Sequence, residues 1–294
     1  MNENEGSPSA APGRKKRHFI VWVLLIAFAI FALGSILGTV FVVPVSMLLS
    51  DAGPSVLFLL QYLVFIGIDI LIVVYCALFD KEIFRSFLSA GRGGMRGNTG
   101  RHFALGLLIG FVMNGACILA AWLHGDLDFS VGAFQLVYLF AALLLVCVQS
   151  GAEELICRGY ILGALRERYP LWVATAANAL GFAAAHLTNP GITVLAFLEI
   201  VLIGAAFSLL VCCLDSLWMA IAVHTAWNFT QNFLFGLPNS GIVSQGSFLH
   251  LEAAKGSIFY DPVFGVEGAV TALIVSAALG VWAAARGKKH TGKQ

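Results

Sequence analysis

The stretch VGAFQLVYLFAALLLVCVQSGAEELICR, residues 131–158, is an uncharged apolar run that ends in two adjacent acids and an arginine. A run of this length and composition is typical of a membrane-spanning helix. An ionised carboxylate near the centre of a bilayer costs about 2.5–3.5 kcal/mol on insertion scales. Glu153 and Glu154 must therefore face protein or a water-filled cavity, and we interpret them as part of a site.

The composition of the whole chain agrees with a membrane protein. Of its 294 residues, 59% are hydrophobic and 11% are charged, whereas a soluble domain has roughly 25% charged residues. The formal net charge is +1, and the basic residues form no stripe, which argues against a nucleic-acid partner. The six cysteines include no C-x-x-C pair, so they indicate neither a disulfide framework nor a zinc knuckle.

The apolar segments predict an all-α fold, a polytopic bundle of about eight transmembrane helices. The predicted spans are 19–43, 55–79, 103–123, one that begins near 131, 171–186, 192–214, 216–235 and 266–285. Every Lys and Arg except Lys255 then falls in a tail or loop on one side, which the positive-inside rule identifies as cytoplasmic.

This arrangement predicts one transmembrane domain, 19–285, with both termini cytoplasmic. Residues 1–18 are expected to be a disordered tail and 286–294 a second tail. The loop 236–261 shows little helical periodicity. The fourth helix would be longer than a bilayer core needs, so we expect it to be tilted, or broken near Gly151, Gly159 or Gly163.

Polar side chains inside the later spans occur in pairs spaced by four residues, which places both members of a pair on one helix face. The pairs are Glu154 with Arg158, Phe182 with His186, and His224 with Asn228. At ~1.5 Å of rise per residue, Glu153 and His186 both lie ~22 Å above the basic turn at Arg168. The acids and the histidines are therefore expected to meet inside the bundle.

The ordered set E-E-x-x-x-R, F-x-x-x-H and H-x-x-x-N on successive apolar helices resembles the CPBP family of CAAX-protease and bacteriocin-processing (Abi) intramembrane proteases. Arg158-Gly159-Tyr160 after the acids and Ala226-Trp227 before the asparagine also fit. The resemblance covers about residues 131–235. It implies hydrolysis of a peptide bond inside the membrane by an activated water, and a bacterial plasma membrane is favoured.

The residues suit that chemistry in distinct roles. Glu153, in a low-dielectric setting, is the expected general base for the water, and His186 is expected to orient this water. His224 and Asn228 are expected to donate hydrogen bonds to the developing oxyanion. Glu154 and Arg158 are expected to support the site as an ion pair, with Arg158 also available to a substrate carboxylate.

Alternatives remain at this point. Glu153, His186 and His224 are also a zinc ligand set of a common catalytic type, so zinc is the one cofactor under consideration. Intramembrane acids and histidines also build transporters and proton relays, and a non-proteolytic scaffold would keep the same residues. The expected partners are the bilayer and a membrane-embedded or lipidated, CAAX-like substrate. Asp69 and Glu199 fall outside the pattern, and Glu199 is expected to make a structural hydrogen bond.

Overall fold

A computed structural model describes residues 19–132 and 135–291, without the side chains of 288–291. The tail predicted for 1–18 and the last residues of the tail 286–294 lie outside the described residues. The described chain is a helical bundle, which confirms the predicted fold class. Its helices are α1 Ile20–Leu48, α2 Pro54–Gln61, α3 Val64–Phe79, α4 Lys81–Phe87, α5 Gly100–His124, α6 Leu136–Glu154, α7 Leu162–Arg166, α8 Leu171–Ala185, α9 Val194–Leu214, α10 Leu217–Phe229 and α11 Val270–Thr291.

Six helical segments among the described residues are long and apolar enough to cross a membrane. They are Ile20–Leu48, Pro54–Phe79, Gly100–His124, Leu136–Arg166, Val194–Leu214 and Val270–Gly287. The exact number of eight is not confirmed. The two other predicted spans correspond to α8, which has 15 residues, and to α10, which continues as a π-helix over Thr230–Leu234. At ~1.5 Å per residue α8 is shorter than a ~30 Å hydrocarbon core.

The fourth predicted span begins later than expected. Residues Leu127–Val131 form a strand, β1, and the helix starts only at Leu136. β1 pairs in antiparallel fashion with β2, Leu249–Ala254, from the loop that was expected to be irregular. Because the two strands are far apart in the chain, no short-range pattern reveals the pairing.

The long fourth helix changes its winding instead of breaking. A π-helical segment, Leu155–Ile161, connects α6 to α7, and it contains Gly159, one of the three predicted positions. A Cβ at Gly159 would lie 2.5 Å from Cε1 of Phe87, so the glycine allows α4 to pack there. π-helical turns inside α-helices occur frequently at functional sites.

Glycines on α5 bring α10 close and so fix the height of the histidine on α10. A Cβ at Gly110 would lie 2.3 Å from the carbonyl oxygen of Val223, and a Cβ at Gly106 would lie 2.7 Å from that of Met219. Side chains larger than hydrogen at these positions would push the helices apart. His224 follows Val223 directly, so this close packing positions the histidine.

The turn between α9 and α10 contacts the basic loop 80–101. Arg96 donates from Nε to Oδ2 of Asp215 at 3.2 Å, and Ser216 donates from Oγ to the carbonyl of Gly97 at 2.6 Å. Ser216 also caps α10 by accepting from the backbone N–H of Met219. The turn and the basic loop therefore lie at the same end of the bundle, as the span assignment predicts.

Candidate active site

Glu154 lies at the centre of a buried cluster. Its Oε1 accepts hydrogen bonds from Nη1 of Arg158 at 2.8 Å and from Nδ1 of His224 at 3.0 Å. The side chains of Glu154 and Arg158 are both 0% exposed. A fully buried charge is tolerated when it is paired and hydrogen-bonded, so Glu154 and Arg158 form the supporting pair that the spacing predicts.

The guanidinium of Arg158 is enclosed on several sides. Its Nη2 donates to the carbonyl oxygen of Gly204 on α9 at 3.2 Å. Its central carbon lies 4.3 Å from the ring centre of Phe182 and 5.3 Å from that of Phe207, distances at which a cation is attracted to an aromatic face. Since this side chain has no exposed surface, it is not available to a substrate carboxylate, contrary to the second role expected for it.

Glu153 has a different environment from its neighbour. Its side chain is 17% exposed, and its Oε2 lies 3.7 Å from Nε2 of His224. Its Oε1 accepts a hydrogen bond from Nε2 of Gln149, one helical turn earlier on α6. The two adjacent acids therefore differ in burial, because the side chain of Glu153 is partly exposed and that of Glu154 is fully buried.

His224 connects the two acids through its two ring nitrogens. Nδ1 faces Glu154, and because a carboxylate accepts, this nitrogen carries the proton. Nε2 faces Oε2 of Glu153 at 3.7 Å, which is beyond a direct hydrogen bond, and Oε2 is buried without a hydrogen-bond partner among the described residues. The buried acid thus fixes the ring, and the ring presents its second nitrogen to the partly exposed acid.

Asn228 is joined to Glu153 through Gln149. Asn228 donates from Nδ2 to Oε1 of Gln149 at 3.1 Å, and Gln149 donates in turn to Glu153. The Oδ1 atom of Asn228 accepts from Nδ2 of Asn239 at 3.2 Å. The amide nitrogen of Asn228 consequently lies on the Glu153 side of the cluster.

His186 lies beside the cluster and is partly exposed. It caps the C-terminal end of α8 and donates from Nδ1 to the carbonyl of Phe182 at 2.8 Å, which leaves Nε2 as an acceptor. The ring centre of Phe182 is 4.7 Å from that of His186 and 6.2 Å from that of His224. In the described part of the chain no hydrogen bond or ion pair joins His186 to Glu153.

Three further residues at the site were not predicted from the sequence. Gln149 stands four residues before Glu153, so the same i, i+4 rule that found the other pairs could have found it. Asn239 and Glu267 come from a loop and from the start of the last helical segment, and no local pattern indicates them. Outside the cluster, the buried Glu199 accepts from Oγ of Ser276 at 2.8 Å, the structural hydrogen bond expected of it.

The zinc alternative requires at least three side-chain ligands around one point. Among the described residues, no group of three His, Cys, Asp or Glu side chains is arranged to hold a metal ion. Nδ1 of His224 donates to Glu154 and Nδ1 of His186 donates to a backbone carbonyl, as in many histidines that bind a metal through Nε2. The chemistry of the three side chains therefore suits zinc, but in this arrangement they do not converge on one point.

Comparison with known proteins gives one finding. Residues 133–230 match the model of a protein family described as Rce1-like, type II CAAX prenyl endopeptidase. The matched range includes Glu153, His186, His224 and Asn228, whereas Glu267 lies beyond it. No curated protein matches the chain, and no solved structure matches it.

Proposed function

We propose that this protein hydrolyses a peptide bond with a water molecule activated by Glu153, because residues 133–230 match the model of an Rce1-like family of CAAX prenyl endopeptidases. The family match and the six apolar helices support an integral membrane protein with protease activity of this type. We assign Glu153 as the general base, and from the site we infer the roles of the other side chains and the nature of the substrate.

The observation that carries the proposal is the unequal burial of the two adjacent acids. A general base must reach both the water and the reacting carbonyl, and of the two acids only Glu153 has any exposed side-chain surface, 17% against 0% for Glu154. Glu154 is sealed between Arg158 and His224. The sealed acid therefore orients the histidine, and the accessible acid takes the proton.

The steps follow from these positions. Glu153 removes a proton from a water held between its Oε2 and His224, and the hydroxide adds to the peptide carbonyl carbon. The tetrahedral oxyanion accepts from Nδ2 of Asn228 and from Nε2–H of His224 in its doubly protonated form. Before the proton transfer the charges of Glu153 and Glu154 are balanced by Arg158 and the doubly protonated His224; after it Glu153 is neutral, and the oxyanion carries the second negative charge. The C–N bond then breaks as Glu153 returns its proton to the leaving nitrogen.

His186 assists from the side in this scheme. Because its Nδ1 donates to the carbonyl of Phe182, the unprotonated Nε2 can accept from the water and help to orient it. No step passes through a metal ion, since the three candidate ligands do not converge. Treatment with a zinc chelator should therefore leave cleavage unchanged.

The proposed substrate is a lipidated, CAAX-like peptide at the membrane. Family membership supports a membrane-associated prenylated substrate. The substrate would approach Glu153, which is reachable, and not the sealed pair of Glu154 and Arg158.

The experiment measures cleavage of a prenylated peptide with a quenched fluorophore by the detergent-purified protein. Removing a general base typically costs 10²–10⁴-fold in rate, so Glu153→Gln should lose activity by about that factor. Asp69→Asn is the matched control, because it neutralises another intramembrane acid outside the cluster and should retain activity. Equal turnover by Glu153→Gln and the unaltered protein would refute the assignment, and a transporter or scaffold would cleave in neither form.

A further inference from the structure

Another buried carboxylate, Glu267, is joined to Asn228 of the site through Asn239. Glu267 belongs to a short 3-10 helix, Val266–Gly268, that precedes α11, and it is 7% exposed. Its Oε1 accepts from Nε1 of Trp227 at 2.9 Å and from Nδ2 of Asn239 at 3.1 Å. Its Oε2 accepts from the backbone N–H and the hydroxyl of Ser240 at 2.5 and 2.7 Å. Both oxygens are therefore occupied by donors.

Asn239 transmits the polarity of this carboxylate to Asn228. The Nδ2 atom of Asn239 donates to Glu267 and also to Oδ1 of Asn228. A carboxylate only accepts, so Glu267 forces the nitrogen end of the Asn239 amide to face it. That nitrogen in turn can only donate, so the oxygen end of the Asn228 amide must face Asn239. The amide nitrogen of Asn228 is then directed at Gln149 and the Glu153 side of the cluster.

The loop that carries Asn239 is held in a conformation that ordinary residues seldom adopt. Ser240 has φ of 47°, in the left-handed region that is uncommon for residues other than glycine. Its two hydrogen bonds to Glu267 hold it there, and its carbonyl accepts from Nδ2 of Asn189 at 3.0 Å. Asn189 follows His186 closely, and its N–H donates to the His186 carbonyl. Through these hydrogen bonds Glu267 holds the loop at Asn239 and Ser240 against the segments that carry His186 and Asn228.

We propose that Glu267 is a positioning residue that acts through Asn239 to hold the donor end of the Asn228 amide toward the reacting carbonyl. The inference rests on the proposed function, in which Asn228 stabilises the oxyanion. Without this relay the Asn228 amide is free to turn over, and it would then present its oxygen to a developing negative charge. Glu267 lies outside the range that the family model matches, so it extends the site beyond that range.

The test is a double-mutant cycle in kcat and KM with the prenylated quenched peptide. In Glu267→Gln the carboxylate becomes an amide, and one of its two accepting oxygens is replaced by a donating NH2 group. This group must face either the donors of Trp227 and Asn239 or those of Ser240. We expect kcat to fall by about 10- to 100-fold, below the full loss of an oxyanion donor, with KM within about twofold. In an Asn228→Ala background the same Glu267→Gln change should cost no further activity. Asn239→Leu, which removes the relay but keeps the Glu267 carboxylate and its bonds to Trp227 and Ser240, should reproduce both results.

Glu199→Gln is the matched control, because Glu199 is another buried carboxylate, and it accepts from Ser276 without a hydrogen bond to any member of the Asn228 relay among the described residues. It should leave kcat unchanged. Unaltered kcat in Glu267→Gln and Asn239→Leu, or an equal loss with and without Asn228, would overturn the positioning role even if Glu153→Gln remains inactive. If Glu153→Gln and Asn228→Ala both cleave normally, the proposed function itself fails and the inference falls with it.

Discussion

Replacing Glu154 by glutamine should destabilise the protein, whereas the same change at Glu153 should not. Glu154→Gln removes the negative charge that neutralises Arg158 while keeping the shape of the side chain. Both members of this pair are 0% exposed and 2.8 Å apart, so the remaining guanidinium is left buried without a counter-ion. Breaking a buried pair in this way typically costs about 3–5 kcal/mol.

The corresponding change at Glu153 has a smaller effect on stability for a structural reason. Its side chain is partly exposed, and Gln149, which donates to it, can donate equally to the new amide oxygen. Because the buried Arg158 is paired with Glu154 and not with Glu153, we expect a cost of about 0.5 kcal/mol or less. At roughly 2–4 °C per kcal/mol, Glu154→Gln should lower the unfolding midpoint by roughly 6–20 °C and Glu153→Gln by less than about 2 °C.

The assay can use the protein's own thiols. Cys76 and Cys117 are 0% exposed, so a thiol-reactive fluorophore in detergent reports unfolding as these side chains become accessible on heating. Activity should fall in both variants, which makes stability the distinguishing quantity. Equal midpoints for Glu153→Gln and Glu154→Gln, or a larger loss at Glu153, would refute the division of the two acids into an accessible base and a buried support.

Three further predictions concern metal, packing and topology. Turnover should persist after exhaustive dialysis against a zinc chelator. Stoichiometric zinc in the purified protein would contradict this if cleavage stops when the zinc is removed and resumes when it is added back. Gly38→Ala should destabilise the protein by about 1–3 kcal/mol in the thiol assay, because the new Cβ would lie 2.1 Å from the carbonyl oxygen of Val64. Gly115→Ala is the control and should leave the stability unchanged, because no atom of the described residues lies within 4 Å of its new Cβ. A membrane-impermeant thiol reagent should label Gly91→Cys only from the cytoplasmic side and Lys255→Cys only from the opposite side, and the reverse pattern would overturn the predicted orientation.

Local spacing predicted one contact of the site and misjudged another. The pair of Glu154 and Arg158 follows from i, i+4 geometry on one helix. The depth argument placed Glu153 level with His186, whereas the structure brings Glu153 to His224, and among the described residues no hydrogen bond or ion pair joins it to His186. Spacing could not supply the unequal exposure of the two acids either, because burial depends on what α8, α9 and α10 bring against them. The enclosure of Arg158 by Phe182 of α8 and Phe207 of α9 is an example.

Non-local contacts account for most of what the sequence did not predict. β1 and β2 pair across a long separation, and each strand alone gives only a weak signal. Glu267 and Asn239 reach Asn228 from segments whose composition marks no site. The number of membrane-spanning helices is a separate case. Apolar composition identifies α8 correctly as a helix, but it does not determine whether this helix is long enough to cross the bilayer.

The most direct measurement of the central claim is the fate of water oxygen in the product. The prenylated peptide is incubated with the purified protein in water enriched in oxygen-18, and the fragments are weighed by mass spectrometry. Hydrolysis by a water activated at Glu153 predicts a new carboxylate carrying oxygen-18 with the unaltered protein, and no such fragment over the same time with Glu153→Gln. Labelled product at equal rates from both proteins, or no cleavage by the unaltered protein, would contradict the account.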